Sequence, residues 1–175
     1  MQKTTPAVVK GKASTSAIVE SGTTIKARRR VGGELVKSAS SEWVIVRNSF
    51  LKQSVAEQIH VIRSGVSAKN LVLFAEAVKV PQEAVFRVVG IPVTTAKRKL
   101  SKDENLDPAT TERLIRIYRL EKLAEDVFGD SEDARQWLRT ENLGLGATPL
   151  SMLDTDLGAQ EVPRVLHAIA YGGVA

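Results

Sequence analysis

The groups in this chain that could do covalent or metal chemistry are few and badly placed for it. Its two histidines, His60 and His167, fall in different helical stretches. With no cysteine and no His-x-x-x-His spacing, no metal site is expected. Five carboxylates gather at Glu125, Asp126, Asp130, Glu132 and Asp133. Paired carboxylates can exchange protons with a substrate, but these lie where one helix should end and the next begin, facing water. Gly144-Leu145-Gly146 follows no strand and lacks the longer fingerprint of a dinucleotide cradle. No nucleophile stands beside a base. The residues read as those of a binding protein, not an enzyme, with no cofactor and no metal.

Binding chemistry is better represented. Residues 79–102 hold six Lys/Arg against the single acid Glu83. Pro81 can open a short helix there, Gly90-Ile91 a turn, and Pro92 or Thr94 a second, basic helix, which is the layout of a helix-turn-helix. On that second helix Thr94, Thr95 and Arg98 could reach base edges, while Lys97, Lys99 and Lys102 could reach phosphates. Val85, Val89, Ile91 and Ala96 sit where the two helices must pack. Two positions depart from the motif: Phe86 stands where a small residue is usual, and Lys99 where an apolar one is. A degenerate motif kept only as scaffold is the alternative.

The surrounding sequence supplies helices to hold these groups. Ser49 can cap a helix with the stripe Leu51, Val55, Ile59 and Ile62, ended by Gly65. Ser67 can cap the next, with Leu71, Phe74, Ala75 and Val78 on one side. Asp107-Pro108 starts the longest helix, to Phe128, stopped by Gly129; Ser131 caps another, with Trp137 and Leu138 on its apolar side and Trp137 counted as core. Trp43-Val44-Ile45-Val46 could be a strand or a docked segment. Pro163, about 3 kcal/mol unfavourable deep in a helix, places the regular part of the last helix from about Gln160. Residues 1–41 hold eight Lys/Arg against Glu20 and Glu34 and show no periodicity, so they read as a disordered basic arm. No apolar run approaches the roughly 18–20 residues of a membrane span, and the absence of cysteine suits a reducing cytoplasm. The expected fold is all-α, with the arm at 1–41, a helical region at 42–106 and a small helical domain at 107–175.

One stretch is more specific. Phe128-Gly129-Asp130, Ala134, Trp137-Leu138, Asn142, Leu145-Gly146, Pro149-Leu150, Leu153-Asp154-Thr155, Gly158, Val162, Leu166, Ile169 and Tyr171-Gly172 resemble the toxin-binding domain of Xre/MbcA/ParS-type antitoxins. The part from about residue 50 to 127 is similar to the Xre-like helix-turn-helix region of the same antitoxins. The resemblance implies a partner encoded alongside, a RES-domain toxin that consumes NAD or a related ADP-ribosyltransferase-like toxin. In such pairs the antitoxin's C-terminal segment covers the toxin's NAD entrance, and the Xre-like region commonly represses the operon. It also implies operator DNA as a second partner, and a homodimer or toxin–antitoxin hetero-oligomer. Many relatives carry Arg-Ile-Glu where this chain has Ala168-Ile169-Ala170, so an ion pair made there is missing. Tyr171, Gly172, Gly173, Val174 and Ala175 follow the last helix with little core left to join, and are the expected toxin contact. A stand-alone transcription regulator whose C-terminal half dimerises or senses a ligand is the alternative.

Overall fold

The described part of the computed structural model is residues 38–172, so most of the arm proposed for 1–41 lies outside it, as do Gly173, Val174 and Ala175. Among the described residues all regular structure is helical: α1 Ala39–Leu51, α2 Val55–Ser64, α3 Lys69–Val78, α4 Gln82–Val88, α5 Val93–Ser101, α6 Pro108–Phe128, α7 Ser131–Arg139, α8 Pro149–Met152 and α9 Asp156–Ala170. The all-α expectation is met. Helices α1, α2, α7 and α9 pack against α6, whose inward face buries Leu114, Ile117, Tyr118 and Ala124. Its start follows from local chemistry: the Asp107 side chain accepts from the Thr110 amide at 3.0 Å, and Pro108 occupies the first turn, where no amide partner is needed. Gly129, with φ +77°, ends it.

The apolar run at Trp43–Val46 is neither strand nor loose segment. It lies inside α1, whose residues Trp43, Arg47 and Phe50 recur at helical spacing and are all buried. The Trp43 ring packs 4.8 Å from Phe74 of α3 and 4.8 Å, edge-on, from Tyr118 of α6. Its indole N–H donates to the Glu121 carboxylate. Around that carboxylate sit Arg47 at 3.3 Å and Arg135 of α7 at 3.3 Å, and Arg47 also reaches Glu125 at 2.5 Å. Burial pushes the Glu121 carboxyl above its ordinary value, against the opposing pull of Arg47, the Trp43 indole and Arg135. One carboxylate thus ties α1, α6 and α7.

Several element boundaries differ from expectation, each for a physical reason. The helix expected from Ser49 to Gly65 is two: the chain breaks at Lys52–Ser54, and Ser54 caps α2 through a reciprocal pair with Glu57. Ser49 lies within α1, and Asp130, not Ser131, caps α7, accepting from Glu132 and Asp133 amides at 2.7 and 3.0 Å. The last helix starts at Asp156, four residues ahead of Gln160, with Pro163 inside it. There Thr155 accepts from the Gly158 amide at 3.1 Å, and Gly158 packs so tightly on the Met152 carbonyl that a Cβ would lie 1.9 Å from it. Buried Val162 and Leu166 then hold the helix through the proline. Trp137 is only half-buried, its ring 5.8 Å from Phe128; the fully buried tryptophan is Trp43.

Because breaking a buried ion cluster strands its partners, Glu121→Ala should cost about 3–5 kcal/mol. Trp43→Ala should cost about the same through cavity formation. Trp137→Ala should cost distinctly less than either. Urea unfolding of the three variants of the full chain checks the ranking, and equal losses at Trp43 and Trp137 would contradict it.

Candidate functional site

The helix-turn-helix forms from α4 and α5 with Val85, Val89, Ile91 and Ala96 all buried at the seam. Phe86, the bulky departure, is itself fully buried, so the motif absorbs it into the core. The turn is closed by the Ile91 amide donating to the Phe86 carbonyl at 2.9 Å, with Gly90 at φ +68°. Arg113 of α6 lies across this turn and donates to the Val89 carbonyl at 3.3 Å. Nothing in the sequence pattern marked Arg113 for that position.

The expected DNA-facing residues divide by what they touch. Thr94, Lys97, Arg98 and Lys102 are exposed, and Thr95 is half-buried. Lys97 lies 3.7 Å from Glu83, and Arg98 holds Glu104 through two contacts at 2.9 and 2.8 Å. Pairs this exposed are worth about 0–1 kcal/mol and exchange readily for a phosphate or a base. Lys99 is different: its side chain is largely covered, and its ammonium donates to the Asn105 carbonyl at 2.7 Å. That bond holds the loop after α5, whose backbone pairs with the segment before α3 through Ala68 to Glu104 at 3.1 Å and Leu106 to Val66 at 2.8 Å. The lysine at the motif's usual apolar position therefore has an intramolecular task.

In the C-terminal part most of the motif residues serve the fold. Gly129 ends α6, Asp130 caps α7, and Thr155 caps α9. Asn142 anchors a tight loop, its side chain accepting from the Leu145 amide at 3.1 Å and its backbone amide donating to Ala147 at 3.0 Å. Leu138, Leu150, Leu153, Val162 and Leu166 are core, and Ile169 is half-buried. Tyr171 stands apart: it is 87% exposed and stacks only on His167, at 6.5 Å. Gly172 follows at φ +71°.

Two features had no signal in the periodicity. A groove of about 410 Å³ runs between α6 and α9, with Leu120, Leu123, Leu153 and Pro163 lining it and Arg116 and Arg119 at its edge. The Asn142 loop carries Leu143 outward, 98% exposed. The two histidines are exposed and on different helices, and among the described residues no group of three or more acidic or histidine side chains is disposed around a common cation position.

Residues 57–119 match the Antitoxin Xre-like helix-turn-helix domain, and residues 123–172 the Antitoxin Xre/MbcA/ParS C-terminal toxin-binding domain. The two matched regions meet inside α6. The chain is 35% identical over 118 residues to an "Antitoxin Xre" of Pseudomonas putida, covering 66% of this chain and 72% of the relative. It is 30% identical over 135 residues to a "Prs ADP-ribosylating antitoxin" of Sphingobium sp., covering 71% and 84%. An "Antitoxin Xre" of Yersinia enterocolitica is 34% identical over 95 residues, covering 53% of this chain and 64% of that relative's length.

The turn makes a direct claim about Gly90. Gly90→Ala forces a side chain into the left-handed region, at about 1–2 kcal/mol, and places a Cβ 2.5 Å from an Arg113 guanidinium nitrogen. Adding Arg113→Ala should relieve the contact but not the backbone cost. Denaturant midpoints of the single and double variants read the two parts separately; no loss in Gly90→Ala would refute the strained turn.

Proposed function

The chain belongs to the Xre/MbcA/ParS antitoxin family, and on that premise we propose that it neutralises a RES-type or ADP-ribosyltransferase-like toxin and represses its own operon through α5. Its work is binding, not turnover. The observation that carries the toxin reading is Tyr171. The core, capping and turn residues of the family pattern have structural tasks, whereas this large aromatic side chain is left in water immediately after α9. An exposed aromatic beyond a buried anchor, formed here by Val162 and Leu166, suits insertion into a partner's pocket. Tyr171, Gly172, Gly173, Val174 and Ala175 are then the segment that covers the toxin's NAD entrance. The name of the Sphingobium relative, an ADP-ribosylating antitoxin, agrees with a partner acting on NAD.

For DNA, the outward groups Thr94, Lys97, Arg98 and Lys102 form the reading edge of α5, with Thr95 beside them. Arg98 exchanges Glu104 for a base edge, and Lys97 and Lys102 bind phosphates; Lys99 contributes by holding the loop that follows. No helix among the described residues is long and apolar enough to cross a membrane.

Two outcomes follow. Lys97→Ala with Lys102→Ala should weaken operator binding and flatten the salt slope by about 0.9 per lost phosphate contact, measured by gel shift or anisotropy across a salt series. An unchanged slope would remove α5 from the interface. Removing residues 171–175 should leave folding and DNA binding intact yet abolish protection of cells expressing the cognate toxin, with cellular NAD falling. Full protection by the folded, truncated protein would show that neutralisation uses another surface.

A further inference from the structure

The groove between α6 and α9, about 410 Å³, falls within the roughly 300–1,000 Å³ of small-molecule sites. Its apolar walls are aliphatic, from Leu120, Leu123, Leu153, Ala159 and Pro163, with no aromatic side chain on which a ring would stack. These walls are buried or half-buried, and none of the exposed large apolar side chains among the described residues lines the groove. The apolar surface is therefore recessed behind a polar rim, whereas a surface that receives another protein displays its apolar groups outward. Such a recess takes a slim apolar body. At the rim, Arg116 and Arg119 stand against Asp156, two positive charges against one negative. Arg116 is spent on Asp156, with Glu112 a further 3.9 Å away. Arg119 has no carboxylate partner among the described residues: its Nη2 donates to the Gln58 side-chain oxygen at 3.1 Å. The Gln58 amide nitrogen donates in turn to the Gln53 carbonyl at 3.0 Å, so a neutral group fixed by the backbone holds the guanidinium in place. Its charge and its remaining donors are left for a ligand, and the planar fork of a guanidinium matches a carboxylate.

We propose that this groove is a binding site for a small acyl carboxylate, its alkyl chain along Leu120, Leu123 and Pro163 and its carboxylate on Arg119. The single surplus positive charge fits a monoanion, and the aliphatic walls fit an alkyl chain better than a ring. Arg116 and Arg119 fall in the region matched to the helix-turn-helix domain, and Leu153 and Pro163 in the region matched to the toxin-binding domain. An occupied groove therefore joins the two regions through one bound molecule. The site stands whether or not the chain neutralises a toxin.

Octanoate tests the site, with octanol as its neutral counterpart. In calorimetric titration of the full chain, octanoate should bind saturably, one per chain, and raise the melting temperature by mass action; octanol should bind more weakly. Arg119→Met should weaken octanoate by about five-fold or more, the weight of one partly exposed charge-assisted pair, and leave octanol unchanged. Ala159→Phe, which fills the groove, should abolish binding of both. Arg119 is exposed, so its variant keeps the fold even where Ala159→Phe disturbs the packing of α9. Amide NMR shifts caused by octanoate should cluster at residues 116–123 and 153–163. No saturation in the millimolar range, octanol bound as tightly as octanoate, or an Arg119→Met variant that binds octanoate like the wild type would each overturn the proposal. So would continued binding by a folded Ala159→Phe, or shifts gathered instead at the exposed Val55 and Ile59 of α2.

Discussion

Glu121 is the constraint on which the architecture turns. It is a fully buried carboxylate on the central helix, faced by guanidiniums from α1 and α7 and by the Trp43 indole. A charge in that position is tolerable only while its partners are in place, so three helices must arrive together or not at all. The aromatic contacts among Trp43, Phe74 and Tyr118 surround the same point, and burial beside Glu121 raises the Tyr118 phenol well above its ordinary value. The first helix precedes both regions matched to the antitoxin domains, yet it plugs the core that they share.

The sequence showed the helical class, the extent of α6, the helix-turn-helix and the C-terminal motif because each rests on local chemistry. Asp107-Pro108, Gly90 and Gly129 act within a turn of themselves. What it did not show depends on long-range contact. Glu121 meets its α1 partners 78 and 74 residues away in sequence, and no periodicity links Trp43 or Arg47 to it. Pro163 looked disruptive because its local cost is known, whereas the packing of Gly158 on Met152 is visible only in three dimensions. The sequence pattern makes Trp137 core and leaves Trp43 in a strand or a docked segment, yet it is Trp43 that long-range neighbours bury fully and Trp137 that stays half-exposed.

Cations in this chain do different work at adjacent positions. Lys97, Arg98 and Lys99 are consecutive, yet the first two hold exposed acids loosely and the third secures a backbone carbonyl. A helix that must face a polyanion benefits from such weak internal pairs, which shield its charge until the polyanion displaces them. On the proposed DNA reading, folding and recognition fall on separate side chains of one short helix.

The 21 residues of α6 run without a break from the helix-turn-helix side into the toxin-binding region. At 1.5 Å per residue this is a rod of about 30 Å, with no glycine or internal proline at which to bend. If α5 seats on DNA and the C-terminal segment on a toxin, as proposed, such a rod works as a ruler: it fixes how far from the double helix a captured toxin is carried, and at what azimuth. Crosstalk between the two ligands is then a matter of clearance, decided by whether bulky cargo on one molecule collides with DNA or with cargo on its neighbour. The spacing of operator half-sites, more than any flexing of the protein, would set how many loaded molecules one promoter can hold.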